Sequence, residues 1–518
     1  MRRRSSAHSI REPTGFTTPS PRLVRGRLPP AFSLSPPPPP PRSGDVSSPL
    51  ATNADVSSGF FALRFFFLAR GAVAPALAGP RGTTEVRSGE RGPNTPDKRC
   101  NGKEAFRYFR HETNPRNGLV RDKTREDWPA SIAAMGMGLT ANLVAVERGL
   151  LARGEAVSRT LSTLRFLAAS PQGPEPDATG HHGFYYHFLD MNSGRRAWKC
   201  ELSTIDTALL IAGVLAAAAY FQSEVAEEEE IRALTDTLYR RVDWTWALAG
   251  GATVCKGWTP EGGFFPGRWE GYDESLILYL LGLGSPTFPL PAESYAHRLS
   301  SYAWREVEGI EMVHAGPLFV HQLSHLWIDC RGIQDAFMRE HGLDYFENSR
   351  RATLAQQRYA IRNPLGFAGY DDRCWGLTAC DGPGPVILSL GGAARQFYDY
   401  IARGIPSGPD DGTLAPWAAV SSLPFAPEIV LPTIDYYRHE LALAASSSYG
   451  FRCSFNPTFP DRSLCARGWV SRYHFGINQG PIVVMIENHR SGLVWDLMRR
   501  CPYTVAGLRR AGFRGGWL

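Results

Sequence analysis

Residues Gly257–Pro286 read GWTPEGGFFPGRWEGYDESLILYLLGLGSP, and they join an aromatic loop to a helix that has no polar face. After Asp273 the segment SLILYLLGLG is apolar on every side, and a helix of that kind must be buried all round. Asp273 is predicted to cap this helix, which places Glu274 in its first turn. A carboxylate there is costly unless it has a partner or a task. Glu274 is therefore either a proton-donating acid in an aromatic-walled cleft or a capping residue paired with an arginine.

Helices that are apolar all round alternate along the chain with amphipathic ones. Ser131–Glu147 and Ser203–Phe221 are almost wholly apolar, whereas Glu155–Ala168 and Glu227–Trp246 carry their charges on one face. A double-layered helical barrel, with inner helices covered by outer ones, produces this alternation, whereas an up-down bundle makes every helix amphipathic. We therefore predict an all-α fold, an (α/α) toroid. Further helical patterns span Ala105–Glu112, Cys330–Gln357, Pro424–Ser446 and Ile482–Arg500.

The composition separates an N-terminal extension from one large domain. Residues 1–98 are proline-rich and basic, which predicts a disordered extension, and residues 99–518 form the domain. The net charge of +6 comes largely from that extension, so the domain offers no electrostatic case for nucleic acid binding. Within the extension FFALRFFFLARGAVAPALAG resembles a secretory signal interrupted by Arg64 and Arg70. Either the true start lies near Val56 and the protein is periplasmic or secreted, or the region is a non-native upstream extension and the protein is cytoplasmic.

The cysteines and the apolar runs exclude several classes of protein. None of the nine cysteines forms a CxxC pair, and no Cys/His spacing matches a zinc site, so we expect no metal and no cofactor. Cys453 and Cys465 could bridge a loop, but an odd count argues against a full disulfide framework. The longest apolar run, Ala208–Phe221, has the length of a core helix, so we expect no membrane span.

Carboxylates stand beside aromatic residues in several stretches. An inner helix with a carboxylate at its mouth aims it into the central pocket, and Asp206 and Glu274 would do so from two helices. Glycoside hydrolysis needs such a pair, one acid for the leaving oxygen and one base or nucleophile. Taken singly, each carboxylate could instead be a structural ion-pair partner. The four groups are Glu175 with Asp177, Glu201 with Asp206, Glu270 with Asp273 and Glu274, and Asp381.

Other chemistries find no support. The chain has no GxSxG elbow, no GxGxxG followed by a helix and no P-loop. His321 and His325 are four residues apart in FVHQLSHLWIDCRG, a spacing that could hold a metal on a helix. Because no HExxH and no obvious third ligand accompany them, a polar pair lining the cleft is the favoured interpretation.

A set of motifs resembles the glucoamylase-like domain family, which is similar to endo-β-1,2-glucanases and to a glucan-processing domain of cyclic β-1,2-glucan synthases. The motifs are FRYFRHETNPRNGLVRDKT, GFYYHFLDMNSGRRAW, ELSTIDTALL, GYDESLILYLLGLGSPTFPLP, PLFVHQLSHLWIDCRG, DYFENSRRAT, WGLTACDGP, DGTLAPWAAVSSLPFAPE and INQGPIVVMIENHRSGLVW. The resemblance covers about residues 100–500. It implies an (α/α)6 barrel that acts as a monomer on an oligosaccharide or polysaccharide β-glucan, with the β-1,2 linkage favoured.

The resemblance also implies roles for individual residues. Glu274 of GYDES falls on the position taken as general acid, and Asp206 and Glu201 fall in a second acidic cluster. The residues expected to contact substrate are His187, Trp198, Trp258, Tyr272, His321, Gln322, Trp375, Asp381, Asn478 and Gln479.

Two positions depart from the family pattern. Asn478 stands before QGP where an acid is expected, and an amide cannot accept the proton of an attacking water. The base would then be Asp206 or Asp381; otherwise the chain is a carbohydrate-binding protein that has lost its base, or a transglycosylase. Asp273 stands where an amide is expected, and this second acid is predicted to raise the pKa of Glu274 by like-charge repulsion. The segment VILSLGGAARQFYDY, after WGLTACDGP, is unlike the family's usual loop.

Overall fold

Helices dominate the computed structural model, which describes residues 102–445 and 447–518. The predictions made for residues 1–98 lie outside that part. The α-helices are α1 Lys103–His111, α2 Ile132–Glu147, α3 Arg153–Ala169, α4 Thr204–Tyr220, α5 Ala226–Arg241, α6 Leu276–Gly284, α7 Ala292–Ser300, α8 Ala336–Glu340, α9 Tyr345–Arg362, α10 Pro416–Ser421, α11 Pro427–Asp435, α12 Gly476–Arg490, α13 Leu493–Arg499 and α14 Pro502–Arg510.

Short strands and tight helical turns lie between these helices. The strands are β1 Ala130–Ser131, β2 Gly180–His181, β3 Phe184–Tyr186, β4 Phe188–Leu189, β5 Leu202–Ser203, β6 Gly257–Thr259, β7 Gly263–Phe264, β8 Trp304–Val307, β9 Ile310–Val313, β10 Ala379–Cys380, β11 Val386–Leu390, β12 Ala393–Phe397, β13 Ile401–Ala402, β14 Phe455–Asn456 and β15 Trp469–Val470. The 3₁₀ turns are Trp246–Leu248, Leu318–His321 and Leu323–Leu326, and a π-helical turn spans Tyr436–Glu440.

The predicted alternation of buried and amphipathic helices is confirmed. Helices α6 and α10 are buried along their whole length, and α2, α4 and α12 are buried over most of theirs. Amphipathic helices cover them from outside: α1 packs on α12, α3 on α2, α5 on α4, α11 on α10 and α14 on α6. The apolar helices therefore bury every face against protein, as their sequences require.

The buried segments contact one another in a cycle. Helix α2 packs against α4 and α12, α4 packs against α6, and α10 packs against α12. The 3₁₀ turns over 318–326 fill the remaining place. Ser324 Oγ accepts from Ile277 N–H at 3.1 Å in α6, and Gln322 Nε2 donates to Ala418 O at 2.6 Å in α10.

Helices α2 and α4 cross with their backbones in contact. A Cβ at Gly213 would lie 2.2 Å from Gly136 O, and a Cβ at Gly136 would lie 2.3 Å from Leu209 O. No real Cβ tolerates those distances, so the crossing depends on glycine at both positions.

An antiparallel five-stranded sheet, in the order β2-β3-β5-β6-β7, lies beside the start of α4. Tyr185 pairs with Ser203 across β3 and β5, and Ser203 pairs with Gly257 across β5 and β6. Ser203 also caps α4, because its Oγ accepts the N–H of Asp206. The sheet therefore fixes the mouth of α4 against the aromatic loop that begins at Gly257. Its strands of two or three residues are too short to leave a period-2 pattern in the sequence.

Several predicted boundaries were wrong. Helix α6 begins at Leu276 with Ser275 as its N-cap, because Asp273 Oδ1 accepts the N–H of Ser275 in a turn just before the helix. Glu274 therefore precedes the helix instead of lying in its first turn. The long pattern Cys330–Gln357 is divided into α8 and α9, with Gly342 at φ 66° between them.

Two further segments differ from the sequence-based expectation. The pattern Glu227–Trp246 ends as an α-helix at Arg241, and the described residues of Pro424–Ser446 form α11 and the π-helical turn. The unusual segment VILSLGGAARQFYDY contains the β11–β12 hairpin, which turns at Gly391-Gly392.

No helix within 102–445 and 447–518 has both the length and the apolar composition needed to cross a membrane. Cys453 and Cys465 are both free thiols, so the suggested bridge between them is absent.

Candidate active site

A cluster of ionisable side chains lies where α2 and α4 begin. The backbone of His187 joins the two helices, because its carbonyl accepts from Ile132 N–H at 3.2 Å and its N–H donates to Glu201 O at 2.9 Å. The β-bridge pairing of Ala130 with Leu189 holds the same segment beside α2. The local backbone thus brings side chains from residues 122, 187, 201 and 206 to one end of the domain.

His187 sits between two of the predicted carboxylates. Its Nδ1 is 2.8 Å from Glu201 Oε1, and its Nε2 is 3.6 Å from Asp206 Oδ2. Burial works to lower the pKa of His187, but the charges of Asp206, Glu201 and Asp122 together raise it to about 9. The imidazole is therefore a cation at neutral pH. Ser203 Oγ donates a hydrogen bond of 2.6 Å to Asp206 Oδ2.

His187 in turn lowers the pKa of Glu201. Burial works to raise the pKa of this carboxyl, but the hydrogen bond and the charge of His187 hold it below its usual range. Glu201 is thus a permanent counter-ion to His187 rather than a group that exchanges protons near neutral pH.

Asp122 belongs to this cluster, although sequence reasoning missed it. Trp128 Nε1–H donates to Asp122 Oδ2 at 3.0 Å, and burial raises the pKa of the carboxyl against the opposing charge of His187. The residue stands in the motif FRYFRHETNPRNGLVRDKT, so the signal was a carboxylate followed by Lys123 and a nearby tryptophan.

Glu274 lies in a partly exposed position, called the recess below, in which its charge is disfavoured. It is deep among protein atoms yet retains some solvent contact. Burial raises its pKa to about 7, the neighbouring Asp273 carboxylate adds to the rise as predicted, and the charge of Asp206 acts in the same direction. Lys256 opposes them. Near neutral pH the Glu274 carboxyl is thus poised between its acid and its ionised form.

Asp273 itself is held by a buried arginine. Arg298 donates from Nη2 to Asp273 Oδ1 at 3.2 Å and from Nε to Ser275 Oγ at 3.2 Å. The arginine predicted as a possible partner of Glu274 is thus paired with Asp273 instead.

Asp381 is a further buried carboxylate, linked to Asn478 through a cysteine. Burial raises the pKa of Asp381, while Lys123 and a hydrogen bond from Ser471 Oγ, 2.8 Å from Oδ2, lower it. The Asp381 N–H donates to Cys453 Sγ at 3.3 Å, and Asn478 Nδ2 donates to the same sulfur at 3.2 Å. Asn478 is buried, and its amide group is thus engaged with protein.

Partly exposed aromatic rings stand around these acids. Trp258 packs against Trp246, with ring centroids 5.7 Å apart, and Trp198 lies edge-on to Trp128 at 4.5 Å. Tyr272 is partly buried, and its hydroxyl is 3.2 Å from His321 Nδ1. Planar rings beside carboxylates suit a ligand with an apolar face and many hydroxyl groups.

Comparison with known proteins identifies the family. The family model described as "Putative glucoamylase" matches residues 266–502. A putative glucoamylase from Bacteroides uniformis is 32% identical, with a TM-score of 0.71, and the alignment covers 80% of this chain and 97% of that one. The chain belongs to the glucoamylase-like family.

Two other members of the family carry more specific names. An endo-β-1,2-glucanase from Chitinophaga pinensis is 27% identical, with a TM-score of 0.67, over 80% of this chain and 97% of that one. An exo-β-1,2-glucooligosaccharide sophorohydrolase (non-reducing end) from Parabacteroides distasonis is 29% identical in an alignment of 441 residues that covers 78% of this chain. The alignment spans 56% of that curated protein's length.

Some residues that the family resemblance marked for substrate contact are enclosed by protein. Gln322 is fully buried and donates to Ala418 O and Ser422 Oγ. Trp375 is fully buried, and Gln479 is buried with its Nε2 on Phe451 O. A ligand cannot reach these side chains without displacing their surroundings. The expectation of substrate contact is therefore corrected for all three.

His321 and His325 do not form a helical i, i+4 pair. They lie in two successive 3₁₀ turns, and both are buried. His325 Nε2 is 3.0 Å from Ser349 Oγ, whereas His321 Nδ1 is 3.2 Å from the Tyr272 hydroxyl. Burial lowers the pKa of His321 to about 3 and that of His325 to about 4, so both are neutral. The expected cleft-lining pair is thus corrected to one histidine beneath Tyr272 and one in the core.

Three of the carboxylates flagged in the sequence lie outside the cluster. Glu175, Asp177 and Glu270 are exposed; Asp177 pairs with Arg195 at 2.7 Å, and Glu270 accepts from Thr253 at 2.6 Å. Among the residues that the structure describes, no group of three or more His, Cys, Asp or Glu side chains is arranged to hold a metal ion.

Proposed function

We propose that this chain is a glycoside hydrolase that cleaves β-1,2-linked glucan, with Glu274 as the general acid. The observation that carries the proposal is the Glu274 carboxyl with a pKa of about 7, in a recess where the Asp206 charge also acts on it. A general acid works best when its pKa lies near the operating pH. The names of the Chitinophaga and Parabacteroides relatives support the β-1,2 linkage.

In the proposed reaction Glu274 donates its proton to the glycosidic oxygen as the bond to the anomeric carbon breaks. Asp206 accepts a proton from the water that attacks that carbon. The His187 cation and the Ser203 hydroxyl contact Asp206 Oδ2 and fix the orientation of this carboxylate. An inverting enzyme separates its two carboxyl groups by about 6.5–9.5 Å to admit the water, and a retaining enzyme by about 5 Å.

The proposed architecture is an (α/α)6 toroid. The cycle of contacts through α2, α4, α6, the 318–326 turns, α10 and α12 gives six inner segments, and the amphipathic helices supply the outer layer. Carboxylates at the ends of inner helices then face a common central recess. This arrangement supports the pairing of Asp206 with Glu274.

A carbohydrate-binding protein without a base is the second candidate, and Asn478 is the observation that favours it. Against it, Asn478 is buried against Cys453 Sγ, and the cluster retains other carboxylates. Asp122, Asp206 and Asp381 each remain available to accept a proton from water. The amide at 478 therefore removes one candidate base and leaves the chemistry possible.

Reducing-end release from linear β-1,2-glucan tests the proposal. The wild-type chain should release reducing ends, and Glu274→Gln should reduce the rate by about 10²–10⁴-fold, as expected for loss of a general acid. Glu270→Gln, an exposed glutamate four residues away, is the matched control and should retain activity. Binding of β-1,2-glucan by the wild type without any product would favour the second candidate, and cyclic or lengthened products would reveal transglycosylation.

A further inference from the structure

A separate cavity of about 460 Å³ lies beside Trp128, at the same end of the domain as the acid cluster. Its walls are the end of α1, the segment before β1 and the loop over 190–198. We infer that this cavity is a saccharide-binding pocket, distinct from the catalytic recess, that takes a neutral glucosyl unit on Trp198. The inference extends the proposed function from the bond that is cleaved to a second point of contact with the glucan.

Trp198 is held in an exposed position against its backbone preference. The residue is 51% exposed, and the centroid of its ring lies 4.5 Å from that of Trp128 and 5.3 Å from that of Phe188. Trp198 and Lys199 have φ of 54° and 53°, the left-handed region that residues with a Cβ rarely adopt. Such a conformation persists only where the surroundings impose it, and it is concentrated at functional sites.

Arg196 is what imposes this conformation. Its side chain is 1% exposed, and its guanidinium donates from Nη2 to Lys199 O at 2.6 Å and from Nε to Cys200 O. A salt bridge of 2.8 Å to Glu261 holds the guanidinium in turn. The loop is thus clamped from beneath, and the indole is presented to solvent instead of being folded into the core.

The charges around the cavity argue against an anionic ligand. Glu112 is neutralised by Arg121 at 3.2 Å and also accepts from Tyr449 at 2.8 Å. The two remaining carboxylates, Asp127 and Asp190, give the lining a net negative charge, which disfavours phosphates and other anions. Asp190 Oδ1 already accepts three hydrogen bonds within its own turn, from the N–H of Asn192 and from the N–H and Oγ–H of Ser193.

A saccharide matches two features of this lining, the exposed indole and the polar groups at the rim. The C–H face of a pyranose packs on an exposed indole, and its hydroxyl groups bond to polar rims such as the Glu112–Arg121 pair. A volume of about 300–1,000 Å³ is usual for pockets that hold small ligands. The cavity at about 460 Å³ falls in that range.

Trp128 connects the pocket to the catalytic recess. Its ring lines the cavity on one side, while its Nε1–H donates to Asp122 in the acid cluster. One glucan chain could therefore occupy both places, or a second saccharide could bind the pocket alone. In the first case the two contacts reinforce each other, because the second becomes intramolecular once the first has formed.

Co-crystals of the wild-type chain and of Trp198→Ala with sophorose test the pocket itself. We expect the disaccharide over Trp198 in the wild type and an empty pocket in the variant. An empty pocket in both overturns the inference, even if the wild type hydrolyses β-1,2-glucan. Sophorose on Trp198 without any hydrolysis of β-1,2-glucan would instead overturn the proposed function and leave the pocket standing.

Calorimetric titration in the Glu274→Gln background separates the two sources of the saccharide. If one glucan chain spans recess and pocket, one molecule of an eight-unit β-1,2-glucan binds to each protein molecule, whereas two molecules of a three-unit glucan bind. A second saccharide in the pocket would give two per protein for both lengths. Adding Trp198→Ala should remove one trimer site and weaken the octamer about tenfold, equivalent to about 1.4 kcal/mol.

Two control variants test whether Trp198→Ala loses binding through a folding defect. Trp198→Phe keeps an aromatic face and should retain two trimer sites. Phe288→Ala removes another exposed aromatic ring, in the loop after α6 and outside the cavity, and should change nothing. Unchanged stoichiometry and affinity in Trp198→Ala would refute the pocket.

Discussion

Replacing Glu274 with glutamine is expected to lower activity by about 10²–10⁴-fold and, at alkaline pH, to stabilise the folded chain. The pKa of Glu274 is about 7 in the fold, against 4.5 for an ordinary glutamate. At about 1.36 kcal/mol per pKa unit, ionising this carboxyl in the recess costs about 3 kcal/mol of folding free energy. Its residual solvent contact screens the charge, so we expect about 1–3 kcal/mol.

The sign of this effect fixes its dependence on pH. Below pH 4.5 the carboxyl is protonated in both the folded and the unfolded chain, so wild type and variant should have equal free energies of unfolding. Between pH 4.5 and 7 only the folded chain holds the proton, so the wild type loses stability relative to the variant as the pH rises. Above pH 7 the difference should be constant and at its maximum.

Urea unfolding of both proteins at pH 4.5, 6, 7 and 8.5 measures the difference directly. Glu270→Gln, which removes an exposed carboxylate from the same segment, should show no such rise with pH. A difference between wild type and Glu274→Gln that does not change with pH, or a wild type that is more stable at pH 8.5, would refute the account of a carboxyl held under strain in the recess.

Three further results are expected. His187→Gln should destabilise the fold by up to about 3 kcal/mol below pH 6.5, because the pKa of His187 in the folded chain is about 9 and that of an ordinary histidine is 6.5. This loss of stability, followed by urea unfolding, should fade as the pH rises through 9. A loss that does not depend on pH would contradict the prediction. Asp206→Asn should lower kcat by about 10²–10⁴-fold with little change in KM, whereas the exposed Asp177→Asn should not; equal rates for Asp206→Asn and wild type would move the base to another carboxylate. Gly213→Ala should lower the free energy of unfolding by about 1–3 kcal/mol or more, as followed by thermal melts. The control Gly154→Ala, whose Cβ would meet open space in α3, should not destabilise the fold. Equal melting temperatures for the two variants would contradict the close crossing of α2 and α4.

The helical layers could be predicted because their signal is local. An apolar stretch such as SLILYLLGLG has no face that water could occupy, so its burial follows from composition alone. The position of Glu274 beside Asp273 was also visible in the sequence, and like-charge repulsion needs no knowledge of the fold. The helix boundary was misplaced by two residues, because the sequence does not tell whether Asp273 caps the helix or the turn before it.

The predictions that were wrong or missing concern residues whose surroundings are set by contacts between distant segments. Gln322 and Gln479 are polar, and only the packing of α10 and of residues near Phe451 makes them structural. Asp122 was overlooked for the opposite reason, since 65 residues separate it from His187 and no local pattern marks the pair. A motif places a residue near a site; whether the side chain faces the ligand or the core is set by neighbours that the motif does not contain.

The contact between Gly136 and Gly213 also acts as a fulcrum. Asp206 lies seven residues from Gly213 along α4, a distance of about 10 Å at 1.5 Å per residue. A rotation of α4 by about 5° around that point would carry the Asp206 carboxylate nearly 1 Å across the recess, a displacement that can cost an enzyme about a hundredfold in rate. The absence of a Cβ at Gly136 and Gly213 thus sets the orientation of the helix that carries Asp206, the proposed base.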